Sequence, residues 1–115
     1  MLKCVFDSRI GHMYIAVIDN KACGTLFWKA VDKRSAEFVA LHTLKRVWGS
    51  GVGRALMDKA LADMFDGGYF AVTRWVFKEN IRARKFYEKC GFVPTGEERV
   101  SDYDRAIEVQ YRRIL

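Results

Sequence analysis

The chain of 115 residues is long enough for one domain with a modest core, and half of it is hydrophobic with a single proline, which excludes a disordered chain. No apolar run reaches the roughly 18 residues of a membrane span, and the start, MLKCVFDSRIGHMY, has no apolar signal core with a small-residue cleavage site, so a cytoplasmic location is expected. Lys and Arg outnumber Asp and Glu by 20 to 14, a surplus of +6 without a basic tail, which suits an anionic ligand, a nucleic acid or plain solubility equally.

In chain order, Met13–Ile18 (MYIAVI) is a short apolar strand, Asp19-Asn20-Lys21 a turn, and Ala22–Val31 (ACGTLFWKAV) a second strand completing a hairpin. Asp32–Ser35 is turn-like, and Glu37–Leu44 (EFVALHTL) is a third strand running into a glycine-rich loop. From Val52 the period changes. Val52, Leu56, Ala60 and Met64 recur every fourth residue with Met57 and Leu61 beside them, which makes one face of a helix that Gly67-Gly68 ends. Tyr69–Phe77 (YFAVTRWVF) is a strand bulky enough to be buried on both sides. A second helix starts near Asn80, a good cap, and ends before Gly91, with Ala83, Phe86 or Tyr87, and Cys90 on its apolar stripe. Phe92–Arg99 and Ala106–Tyr111 are closing strands. The order β-β-β-α-β-α-β-β predicts a mixed α/β sheet in one domain over residues 1–115, its α-linked middle strands parallel and its flanks antiparallel.

The loop RVWGSGVGRALM, residues 46–57, sets Gly49, Gly51 and Gly53 directly before a helix. Bare backbone approaches a ligand closely, and a helix start offers unpaired N–H groups with partial positive charge, so the pattern reads as a phosphate site. It is neither a P-loop, since Arg54-Ala55 follow Gly53 in place of Lys and a hydroxyl residue, nor a GxGxxG fingerprint, since Arg54 falls on the third glycine. A tight strand-to-helix turn without a ligand is the competing reading. Cys4, Cys23 and Cys90 form no CxxC pair and have only His12 and His42 for company, so neither a disulfide framework nor a metal site is expected.

A second stretch, NIRARKFYEKCGF, spaces Asn80, Ala83, Phe86, Tyr87, Gly91 and Phe92 as N-x-x-A-x-x-[LF]-Y-x-x-x-G-F. This resembles the second signature of the GNAT superfamily of acetyl-CoA-dependent N-acetyltransferases. The glycine loop resembles the first, [QR]-x-x-G-x-[GA], with Trp48 in place of the Gln or Arg. The resemblance runs from about Met13 to the C-terminus and implies the acyl-CoA N-acyltransferase fold. It implies that acetyl-CoA lays its pyrophosphate on the N–H groups of Gly49, Ser50, Gly51, Val52, Gly53 and Arg54. The pantetheine arm would pair with Leu41, His42 and Thr43, and the Asn80 side chain would hold the cofactor from the other wall. Arg82, Arg84 and Lys85 either meet its phosphates or form a solvated helix face.

The implied reaction carries an acetyl group from a thioester to an amine without an enzyme nucleophile. Tyr87 matches the family tyrosine aimed at the sulfur, where a phenol can protonate the departing thiolate; without the motif it would read as a core aromatic. Glu37 matches the catalytic glutamate of the histone-acetylating branch and is the preferred base, with a strand-edge carboxylate as the bland alternative. His42 is the rival, since an imidazole titrates near neutrality. The two face opposite ways in a regular strand, and a bulge would undo that. Cys90, without a base, reads as buried.

Family members usually open with a strand and one or two helices ahead of this hairpin, and only Met1–Gly11 precedes Met13. That short form predicts either an open acceptor site or a homodimer whose partner supplies the missing wall. The acceptor is an amine on a small molecule or a protein, with no metal and no membrane partner expected. A non-catalytic acyl-CoA-binding or sensing module is the second reading. A small basic nucleic-acid-binding domain, resting on charge alone, ranks last.

Overall fold

The computed structural model describes residues 1–7 and 11–115, with the side chains of 4–6 set aside. The chain runs β1 (Leu2–Asp7), β2 (Gly11–Ile18), β3 (Lys21–Ala30), β4 (Ser35–Thr43), α1 (Val52–Asp66), β5 (Ala71–Phe77), α2 (Ile81–Lys89), β6 (Val93–Val100) and β7 (Ile107–Ile114). One seven-stranded sheet has the order β1-β2-β3-β4-β5-β7-β6. The β4–β5 pair is parallel and the other pairs are antiparallel. The expected element order holds from residue 11 onward. It is corrected at the start, where β1 pairs antiparallel with β2 from Leu2↔Ala16 to Asp7↔His12. Lys3 and Asp7 mask that strand in a composition-based reading.

Both helices lie on the same face of the sheet. Register partners Leu26 and Tyr14, Trp28 and Phe38, Ala36 and Val72, and Val76 and Val109 are buried in one core with Leu56, Met57, Ala60, Leu61 and Met64 of α1 and Tyr87 and Cys90 around α2. On the opposite face Met13, Ile15, Phe27, Glu37, Thr73, Trp75 and Gln110 all stay partly exposed. The expectation of a two-sided burial for β5 is corrected accordingly. Its Val72 and Val76 side is covered, while Thr73, Trp75 and Phe77 face away from the helices.

The core is also pinned by polar contacts. Tyr14 donates its hydroxyl to Asp63 of α1 at 2.6 Å and accepts from the Trp28 indole at 3.1 Å, so three elements share one satisfied chain. Cys23 and Cys90 are buried free thiols. Among the described residues no helix is long and apolar enough to cross a membrane.

Candidate active site

The cleft arises because β4 and β5 part. Their pairing runs from Ser35↔Ala71 only to Phe38↔Arg74, whereas β4 stays paired with β3 as far as Thr43↔Gly24. From Val39 onward the β5-facing backbone of β4 therefore borders a wedge instead of a strand. A β-bulge sits at the same point. Phe27 pairs with Ala40 and Trp28 with Phe38, leaving Val39 as the extra residue. The wedge opens into a cavity of about 840 Å³ between the end of β4, the glycine loop, β5 and α2.

The glycine loop closes one end. Gly51 caps α1 in the left-handed region at φ 91°, with Gly49 likewise at φ 81°. A Cβ at either position would meet nothing within 4 Å, so backbone conformation is what calls for glycine there. The first helical bond joins Ala55 N–H to the Gly51 carbonyl at 2.9 Å, and no side chain caps this end. The N–H groups of Val52, Gly53 and Arg54 thus precede the helical ladder, beside the cavity. That cradle fits a phosphate group. Ser50 does not line it, because its N–H donates to the Val47 carbonyl at 3.1 Å and its hydroxyl turns back to the same oxygen.

Leu41, His42 and Thr43 line the opposite side of the wedge. Asn80 caps α2, its Oδ1 accepting from Ala83 N–H at 3.1 Å, which leaves the side-chain amide nitrogen as its donor toward the cleft. Trp48 and Arg82 meet across the mouth. The guanidinium stacks 3.6 Å from the indole centroid, and the indole N–H donates to the Thr43 carbonyl at 3.2 Å. Lys85 also lines the cavity. Arg84 does not, because it donates to the Tyr111 hydroxyl at 3.0 Å and the Lys78 carbonyl at 2.9 Å.

Tyr87 stands at the inner end, 3 % exposed, and accepts a hydrogen bond from Arg74 Nε at 3.1 Å. Burial pushes its phenol above the ordinary value, against the pull of the Arg74 charge and hydrogen bond. Arg74 Nη1 donates to the carbonyls of Val39 at 2.8 Å and Phe38 at 3.3 Å, so one guanidinium bridges β5, the bulge of β4 and the tyrosine of α2.

Glu37 is not part of the cavity lining. Its carboxylate lies 3.8 Å from Lys29 Nζ on the sheet face away from the helices. The bulge restores the parity it shares with His42. Glu37 pairs with Lys29 and His42 with Thr25, four positions apart on β3, so both face that side. The carboxylate that does line the cavity is Glu108 of β7, held by Arg99 Nε at 2.8 Å. Reading the sequence missed Arg74, Glu108 and the Trp48–Arg82 stack. Of these, only Arg74 left a signal, as the single charge within YFAVTRWVF.

Comparison with known proteins accords with this geometry. The model of the acetyltransferase (GNAT) family matches residues 2–92. An uncharacterised N-acetyltransferase of Mycobacterium bovis is 40% identical over 78 residues, covering 68% of this chain and 50% of that protein. Ard1 from Thermoplasma volcanium superposes with a TM-score of 0.85 at 25% identity, covering 90% of this chain and 70% of that one. A Bacillus anthracis protein assigned as a streptothricin acetyltransferase, solved with acetyl coenzyme A, shares the fold at a TM-score of 0.84 and 24% identity, covering 95% of this chain and 65% of that one. The chain spans about a quarter to a half of the length of the curated relatives it matches.

Proposed function

The chain belongs to the GNAT acetyltransferase family, and from that premise we propose that it is an N-acetyltransferase moving an acetyl group from acetyl-CoA directly to a primary amine. The observation carrying this reading is the wedge itself. The parting of β4 and β5 beyond Phe38↔Arg74 joins, in one cavity, an uncapped helix start, unpaired strand backbone and the hydroxyl-bearing Tyr87. A thioester with a diphosphate-bearing tail needs those three things in that order. The acetyl-CoA complex of the Bacillus anthracis neighbour supports the choice of donor.

In this reading the diphosphate rests on the N–H groups of Gly49, Gly51, Val52, Gly53 and Arg54, Asn80 donates from α2, and the arm lies along Leu41, His42 and Thr43, beyond the end of the β4–β5 pairing. The amine nitrogen forms a bond to the thioester carbonyl carbon, the C–S bond breaks, and the thiolate takes the Tyr87 proton. The proton leaving the amine goes to Glu37 or His42, which share the sheet face opposite the helices. That face supports an acceptor approaching from there, and also the homodimer we include in the proposal, since a second copy would cover it. A non-catalytic acyl-CoA-binding module is favoured by one observation, that Glu37 stands outside the cavity lining and is paired with Lys29.

Calorimetric titration with acetyl-CoA, followed by free-thiol release with a panel of amines, tests the proposal. Binding with turnover supports the enzyme, binding without turnover on any amine supports the module, and no affinity in any assembly state removes both. Among active proteins, the variant of Glu37→Gln or His42→Ala that loses the acidic limb of the pH–rate profile identifies the base.

A further inference from the structure

Arg74 is a half-buried cation with only neutral partners. Its guanidinium serves the Tyr87 hydroxyl and the Phe38 and Val39 carbonyls, and no carboxylate lies within ion-pair distance of it among the described residues. Other arginines nearby differ. Arg54 pairs with Asp58 and Arg99 with Glu108, while Arg82 stacks on Trp48. Among the described residues the Nη2 nitrogen of Arg74 makes no protein hydrogen bond, and the residue lines the cavity where β4 and β5 part.

A guanidinium drawn out of water without a countercharge is costly, and with Nε and Nη1 committed to protein oxygens the remaining Nη2 can give a carboxylate a charge-assisted hydrogen bond. Three bonds already fix the group, so an arriving anion meets an Nη2 donor that needs no ordering. A simple alkylamine offers it nothing, and an acetyl thioester offers only a carbonyl oxygen without a full charge. Nor does a structural staple require this residue, since a neutral amide could also donate to strand carbonyls.

We propose that Arg74 selects a reactant bearing a carboxylate, because its unpaired guanidinium faces the cavity one hydrogen bond from the Tyr87 hydroxyl. The carboxylate belongs either to the acyl group of the donor, as in a malonyl or succinyl thioester, or to the acceptor, as in the α-carboxylate of an amino acid. The inference rests on the acyl-transfer reading. The bond changes are those of that reaction, amine nitrogen to carbonyl carbon with loss of thiolate, and the carboxylate is a spectator held in place.

The test measures kcat/KM by free-thiol release, with calorimetric affinity for coenzyme A in parallel. One arm compares acetyl-, malonyl- and succinyl-CoA on a fixed amine. The other compares amino acids with their amides using acetyl-CoA. The expected result is a preference of about tenfold or more for the carboxylate in one arm, which names its source. In Arg74→Gln that preference disappears, while Arg74→Lys, which keeps the charge and loses the fixed Nη2 donor, retains part of it. Should either variant fail to fold, the wild-type selectivity decides by itself. A wild-type protein that binds coenzyme A and treats charged and neutral reactants alike overturns this inference and leaves acyl transfer standing. A preference that survives in folded Arg74→Gln overturns it as well, and absence of coenzyme A affinity overturns both.

Discussion

Arg74 donates its Nε–H to the Tyr87 hydroxyl at 3.1 Å, so the phenol oxygen is an acceptor on that side and its own proton is free to point elsewhere. A phenol held as acceptor by a cation is the form of tyrosine suited to protonate a thiolate in the same cavity. Burial keeps it protonated and the adjacent charge steadies any phenolate that forms. Tyr87→Phe keeps the ring against Phe92 and Phe86 and removes only the hydroxyl. The expected outcome is a fall in kcat of about 100-fold with little change in the KM for the thioester, read by thiol release at saturating donor. A parallel rise in KM would instead assign the hydroxyl to binding.

The same burial makes a statement about stability at high pH. The folded-state value of Tyr87 is raised, so the neutral phenol is the favoured form, and its contribution is fully present below the unfolded value of about 10. It is lost as pH rises through the folded value. Tyr111, raised for the same reason while it donates to Glu88 at 2.6 Å, adds to the effect. Melting temperature should therefore drop steeply as pH rises above about 10. Tyr87→Phe starts lower at neutral pH but falls less over that window. Equal slopes for the two proteins would show that Tyr87 does not titrate on unfolding.

Much of the architecture was legible because apolar period and turn residues agree. Gly68, at φ 84°, and Asn80 punctuate the two helices as their chemistry requires, and the buried faces of α1 and α2 are those that the spacing gives. The strand β5 shows why the remainder was not. Its sequence is apolar on both sides, and only the topology, with both helices on one face, decides that Trp75 stays half-exposed. Glu37 and His42 show the same limit within the site. Their parity turns on the extra residue Val39, and nothing in EFVALHTL marks which residue bulges. Arg74 was visible as a lone charge in an apolar strand, but its partners come from β4 and α2, which no local pattern joins to it.

Gly51 separates the two readings of the glycine loop. Gly51→Ala places a Cβ in open space at φ 91°, so the cost is backbone strain of about 1–2 kcal/mol, seen as a lower melting temperature. In a bare turn that would be the entire effect. If the loop cradles a diphosphate, the Cβ intrudes where the phosphate lies, and affinity for coenzyme A falls by more than affinity for pantetheine, which has no diphosphate. Equal losses for the two ligands, measured calorimetrically on the folded variant, would return the loop to a turn.

The Trp48–Arg82 stack gives a direct optical handle on the cofactor. At 3.6 Å from the indole centroid, the guanidinium sits at the mouth of the cavity, and an exposed stack of this kind contributes about 0.5–1 kcal/mol. A phosphate arriving at the neighbouring helix start competes for that cation with a charge-assisted bond, which is the stronger partner. Coenzyme A should therefore draw Arg82 off the ring and change the Trp48 fluorescence, a signal that Trp48→Phe removes. Arg82→Gln should weaken coenzyme A about threefold to tenfold, and raising the ionic strength should shrink that difference, because the pair stands in solvent. A weakening insensitive to salt would mean that Arg82 acts by packing against Trp48 and that the phosphate lies beyond its reach.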